Sequence, residues 1–150
     1  MDLLTRDLIT EARNAAGGYY RANYNCAESI ILGFNQVLDL KIDPEVVKMF
    51  SGYGGGLGHA GCMCGALSAS IAILGYFRGR KTSEEKRDVI YDLVNRFHDC
   101  FEEEFGATCC RVLNSYPFGT PEHGRTCLKI TGNTAKKLMQ FLLAEGLVDG

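Results

Sequence analysis

The chain has 150 residues, of which 46% are hydrophobic, and a formal net charge of -2. That length can bury a core without disulfide staples, and that composition excludes wholesale disorder. The slight acidity argues against nucleic acid or an anionic bilayer as partner, and no apolar run reaches the ~18 residues of a spanning helix. The opening MDLLTRDLITEAR scatters charges and lacks the apolar stretch of a secretory signal, so the expectation is one cytoplasmic domain over residues 1–150.

Taken in order, Leu4, Leu8, Ala12, Ala15 and Tyr19 recur near a period of 3.6, which predicts an amphipathic helix over Leu3 to Tyr20. Asn23 or Asn25 can cap a second helix through Cys26, Ile30, Ile31, Phe34, Val37 and Leu38. Asp43-Pro44 marks a restart and a short helix, Glu45 to Phe50. The small apolar segment Cys64 to Phe77 suits a central helix packed on several faces. Thr82 with Glu85 has capping-box spacing, and Val89, Leu93, Phe97 and Phe101 step by four behind it until Gly106. A short element from Cys109 to Asn114, a loop from Tyr116 to Arg125, and a last helix from Ala135 to Glu145 complete the chain. With no alternating strand and no repeat, the expected fold is all-α, a compact bundle of about five to six helices with a glycine-rich loop before the central one.

That loop organises the rest. In SGYGGGLGHAGCMCGA, Gly52, Gly54, Gly55, Gly56, Gly58 and Gly61 are too dense for a regular helix or strand. It lacks the Gly-Lys-Ser/Thr of a phosphate loop and follows no strand, so a nucleotide reading is weak. Amides at Gly55 and Gly56 are instead candidates to hydrogen-bond cofactor sulfurs or a substrate anion. His59, three residues before Cys62, is a candidate ligand or proton donor, although a glycine-flanked loop histidine is more often solvated; His98 and His123 rank below it. The run Glu102-Glu103-Glu104 reads as a solvated helix face.

Seven cysteines form the informative group, and an odd number cannot pair completely within one chain. In a reducing compartment, metal binding, thiol chemistry and plain burial remain open. Cys100, between Phe97 and Phe101, reads as a buried hydrophobe. Cys26 and Cys64, each in the first turn of a predicted helix, are the thiols that helix amides should hold as thiolates. No C-x2-C pair occurs, so a zinc ribbon is not indicated; Cys62-Met63-Cys64 and Cys109-Cys110 suit ligands of a metal or cluster, or one member each for distant partners.

The order NCAESI, GYGGGLGHAGCMCGAL, a helix ending FEEEFGATCCRVL and a lone downstream cysteine resembles the redox-active family named for its C…GCAxxG…C…C pattern. The resemblance places the family's cysteines on Cys26, Cys64, Cys110 and Cys127, with Cys62 and Cys109 as the neighbours able to substitute. Gly65-Ala66 fits the motif, whereas its closing glycine is replaced in the Ser68-Ala69-Ser70 neighbourhood. What it implies is a redox site in which these four residues act, either as ligands of an iron–sulfur cluster with Cys62 as a fifth participant, or as exchanging thiols. Such a protein would be an oxidoreductase or an electron carrier with an unidentified redox partner, and a homodimer is compatible with it. The alternatives are a zinc-knit structural module, with or without His59, and a partner-binding helical domain with no cofactor.

Overall fold

The computed structural model describes residues 6–150, and they form an all-α domain. Its helices are α1 (Leu8–Arg21), α2 (Cys26–Leu38), α3 (Pro44–Val47), α4 (Gly65–Arg78), α5 (Asp88–Phe105), α6 (Cys110–Leu113) and α7 (Pro121–Ala144). Leu3 and Leu4, where the first predicted helix begins, lie outside the described residues. Within them α1 starts only at Leu8, because the Asp7 side chain accepts from the Thr10 amide and sets the cap there. Asn25, not Asn23, caps α2 in a full capping box with Glu28, and Asp43-Pro44 opens α3 as the sequence indicates. After Val47 the chain tightens into a 3-10 turn, Lys48–Tyr53, so the short helix ends earlier than expected.

Helix α4 is the hub, packed against α2, α5 and α7, while α1 lies along both α2 and α7. Ala66, Leu67, Ala69, Ser70, Ile73 and Leu74 of α4 are buried around its circumference, as expected of a helix with neighbours on several sides. Phe34, Phe97 and Phe101 supply the largest fully buried side chains beside it. Small residues set the closest crossing: a Cβ on Gly33 of α2 would stand 3.0 Å from the Ala16 nitrogen and 3.2 Å from its Cα on α1. Arg96 of α5 donates to both carboxylate oxygens of Glu145, at 2.6 and 2.9 Å, tying α5 to the end of α7.

Two expectations need correction. Thr82 and Glu85 do not open α5. The Glu85 carboxylate accepts from the Lys81 and Thr82 amides in a closed local turn, the helix begins at Asp88, and Val89 is 58% exposed rather than part of the apolar stripe. The last helix begins not at Ala135 but at Pro121, with Thr120 accepting from the His123 amide as its cap. Residues 121–125 therefore belong to a helix, and Cys127 sits in its second turn rather than in a loop. That change matters for the site, because a helical Cys127 is held in register with Thr131, one turn on.

The α1–α2 crossing is testable. Gly33→Leu must push against backbone and should cost about 1–3 kcal/mol. Gly18→Ala, on a helical position whose added Cβ meets nothing within 4 Å, should gain ~0.5–1 kcal/mol. Thermal or urea unfolding of the two variants should therefore move in opposite directions from the parent chain.

Candidate functional site

The glycine-rich stretch is not a floppy connection. Gly55, Gly56, Leu57, Gly58 and His59 all have positive φ, between 61° and 73°, so the chain makes one left-handed turn. Amides of Gly58, Gly61 and Cys62 donate to the carbonyls of Gly54, Gly55 and Gly56 and fix it. L-residues resist this conformation by ~1–2 kcal/mol each, so Leu57 and His59 are held there by their surroundings.

The turn leaves space for sulfur. A Cβ on Gly56 would lie 2.6 Å from Cys110 Cβ and 2.7 Å from the Cys62 nitrogen. One on Gly65, the first residue of α4, would lie 2.6 Å from Cys26 Sγ and 2.8 Å from the Tyr53 carbonyl. An isolated antiparallel bridge, Met63 to Cys109, then clamps the segment before α4 to the segment before α6, with the Cys64 amide on the Thr108 carbonyl at 2.8 Å.

Cys26, Cys64, Cys110 and Cys127 consequently line one small cavity, reached from the starts of α2, α4 and α6 and from the second turn of α7. Its volume is about 20 Å³, room for roughly one water. Asn114 and His123 line it too. Asn114 is 7% exposed; its Nδ2 donates to the His123 carbonyl at 2.9 Å, but its Oδ1 has no partner. His123 Nε2 and Thr131 Oγ1 are likewise buried and unpartnered. Outside this cavity lies a larger groove of about 640 Å³, with Cys26 and Cys127 on its floor and His59, Phe118 and His123 on its wall. The His59 ring stacks on Phe118 at 4.2 Å and 17°, and His123 tilts against the same Phe118 ring at 4.8 Å.

Electrostatics separates the four thiols, and not as helix position alone predicts. Cys127 is the acidic one, lowered to about 7, first by hydrogen bonding from Cys26 and then by Tyr20 and Thr131. Thr131 Oγ1 has no partner at ordinary hydrogen-bond distance, so its pull is a longer-range dipole. Cys26, as the donor of that pair, holds its proton well above the usual thiol range, with burial adding to the effect. Burial pushes Cys64 up to about 12 although the Ala66 and Leu67 amides face its sulfur. Burial also raises Cys110 and, foremost among several causes, Tyr20. The expectation that helix amides hold Cys26 and Cys64 as thiolates is thus reversed. At 5% and 6% exposure, desolvation and the pairing with Cys127 outweigh a first-turn amide.

The other candidates lie elsewhere. Cys62 is half-buried and faces the Arg111 guanidinium at 3.7 Å, on the outer side of the clamp and off the cavity wall. Cys109 also lies off that wall, and Cys100 packs half-buried against the core. Gly55 lines both cavity and groove, and its amide faces Cys26 Sγ. Gly56 is buried behind Cys110. His59 is exposed on the groove wall. Among the described residues, the group whose ligand atoms all fall within 4.8 Å of one another is His98, Asp99 and Glu102 on the surface of α5. Sequence reasoning underrated His123 and passed over Asn114. The Thr120-Pro121 cap could have revealed the first by extending α7 back to include it.

The model of the family described as "Putative redox-active protein (C_GCAxxG_C_C)" matches residues 24–141. The chain belongs to that family. It is also 26% identical over 127 residues to an uncharacterized protein of Archaeoglobus fulgidus, covering 79% of this chain and 84% of the other. No solved structure matches. The family model spans all four cavity cysteines, and among the described residues no helix is long and apolar enough to cross a membrane.

The ordering of the thiols predicts alkylation. A thiol lowered below its ordinary value is anionic above its folded pKa and loses reactivity as pH falls through it. Iodoacetamide should therefore modify Cys127 with a half-maximal rate near pH 7, while Cys64 stays unmodified until far more alkaline pH. Peptide mapping across a pH series reads both.

Proposed function

We propose that this chain is a thiol-based oxidoreductase in which Cys127 and Cys26 open and close a reversible disulfide. The observation that carries it is that Cys26 and Cys127 line both the inner cavity and the floor of an accessible groove, and their surroundings favour the thiolate at Cys127 and the thiol at Cys26. This is the asymmetry exchange requires: an attacking thiolate and a second thiol within reach to resolve the mixed disulfide. Cys64 and Cys110 close the cavity behind them. Burial keeps their protons on and makes them the less reactive pair.

A second reading has its own support. Four thiols from four elements around one cavity equal the ligand number of an iron–sulfur cluster, which would supply one-electron transfer held by Cys26, Cys64, Cys110 and Cys127. Packing disfavours it: the cavity has room for about one water, and a cube-type cluster brings eight heavy atoms. A single zinc ion fits less well. Zn–S bonds of ~2.3 Å hold tetrahedral sulfurs ~3.8 Å apart, and no cysteine triad among the described residues gathers within 4.8 Å.

Mild oxidation with diamide under native conditions decides among them. The expected result is loss of the mass of two hydrogens and a proteolytic fragment joining the Cys26 and Cys127 peptides. Cys26→Ser or Cys127→Ser should abolish it and Cys100→Ser should leave it intact. Anaerobically purified protein carrying stoichiometric iron and sulfide would replace this reading with the cluster, and stoichiometric zinc would replace it with a structural site.

A further inference from the structure

The groove above the thiols is built for a particular size and charge of partner. It encloses about 640 Å³, within the ~300–1,000 Å³ typical of small-molecule sites. Cys26 and Cys127 form its floor. Tyr20, Tyr24 and Phe118 give it aromatic faces, and Asn23, Asn25 and Ser51 give it neutral polar ones. None of the residues lining it is a lysine, arginine, aspartate or glutamate. An anionic substituent entering here would find no lysine or arginine to replace its hydration and would approach the thiolate on the floor, so the lining suits an uncharged one better. His123, whose Nε2 has no protein partner, lies where the groove meets the cysteine cavity, and His59 is held at φ 67° against Phe118 to complete the wall. Non-glycine residues kept in such a conformation gather at ligand clamps.

We infer that the groove between the left-handed turn and the start of α7 is the substrate site for a small, uncharged organic disulfide. This inference rests on the exchange chemistry proposed for Cys127 and Cys26. Cys127 sulfur attacks one sulfur of R–S–S–R; the Cys127 S–S bond forms, the substrate bond breaks, and the first RS⁻ leaves and takes a proton from solvent in the groove. Cys26 then attacks the Cys127 sulfur, the mixed disulfide breaks, and the second RS⁻ takes the proton that Cys26 releases. Two electrons pass from the protein dithiol to the substrate, giving two thiols and the Cys26–Cys127 disulfide. His123 Nε2 stands beside this path as a polar group able to meet the departing sulfur.

Gly124 provides the test. It lines the groove, lies in α7, and an added Cβ there meets nothing within 4 Å, so Gly124→Leu fills the groove while suiting the helix. The reduced protein is mixed with 2-hydroxyethyl disulfide, with glutathione disulfide as the charged comparison and insulin as the protein disulfide. Unfolding temperature and thiolate absorbance of the variant confirm that fold and Cys127 are intact. The expected result is a saturating rate with 2-hydroxyethyl disulfide, faster than with the other two, and at least tenfold slower in Gly124→Leu. If the parent protein reacts but the variant matches it, or if insulin is preferred, the groove assignment falls while the dithiol survives. If the parent protein reacts with none of the three, the dithiol reading falls and takes the groove with it. Should Gly124→Leu fail to fold, the parent's concentration dependence decides, because a strictly linear rate with 2-hydroxyethyl disulfide overturns a binding site.

Discussion

Everything at the site depends on two missing β-carbons. Cys26 Sγ occupies the direction in which a side chain on Gly65 would grow, and Cys110 Cβ occupies that of Gly56. Four separate elements can bring thiols to a cavity the size of one water only if backbone comes this close to sulfur. The left-handed turn serves the same end: it sets Gly56 against Cys110, and glycine takes its positive φ without a Cβ penalty. Its strain at Leu57 and His59 is borne by the loop's own hydrogen bonds and by the Met63–Cys109 bridge.

Burial then determines the chemistry. A helix N-terminus favours an anion by ~0.3–1 kcal/mol at an exposed position, whereas taking a thiolate out of water costs more. Cys64 has the amides and still keeps its proton. Cys127 has no free amide row, lying in the second turn of α7, but it has Cys26 and Tyr20 as donors and the Thr131 hydroxyl dipole nearby. One mostly buried anion with its neighbours turned toward it is a cheaper arrangement than four partly serviced ones, and the neighbours' raised values partly reflect the negative charge placed there. The asymmetry among the thiols is thus a property of the set and of no single cysteine.

How much of this the sequence discloses depends on the range of the interaction. The Asn25 and Asp43 caps, the Gly106 stop and the central apolar helix are local signals, and all appear where the residues indicate. The Thr82–Glu85 spacing is local too, yet its hydrogen bonds close on themselves and leave no helix to propagate, with α5 starting at Asp88. Thr120-Pro121 carries the same kind of signal as Asp43-Pro44, but Gly124 and Gly132 dilute the apolar period behind it. Packing against α1, where a Cβ on Gly132 would lie 3.3 Å from Arg13 Cγ, favours the long helix nonetheless. The cap places His123 on α7, but the unpartnered Nε2 there and the unpartnered Oδ1 of Asn114 are not legible, because they exist only once four elements have met.

The two recesses also divide the work between rigid and adaptable parts. The inner cavity is walled by helix starts and by a turn with its carbonyls occupied, so the distances among its thiols change little without unfolding the clamp. The outer groove shares the glycine turn and the starts of α2 and α7 with the cavity, and adds the Phe118 segment, which contributes nothing to the buried core. Local opening in proteins follows the elements with few buried contacts, which here is the Phe118 segment beside the groove. The proposed dithiol would need its sulfurs held in register and its substrate free to come and go, and the helix starts around the cavity and the Phe118 segment beside the groove suit those two demands separately.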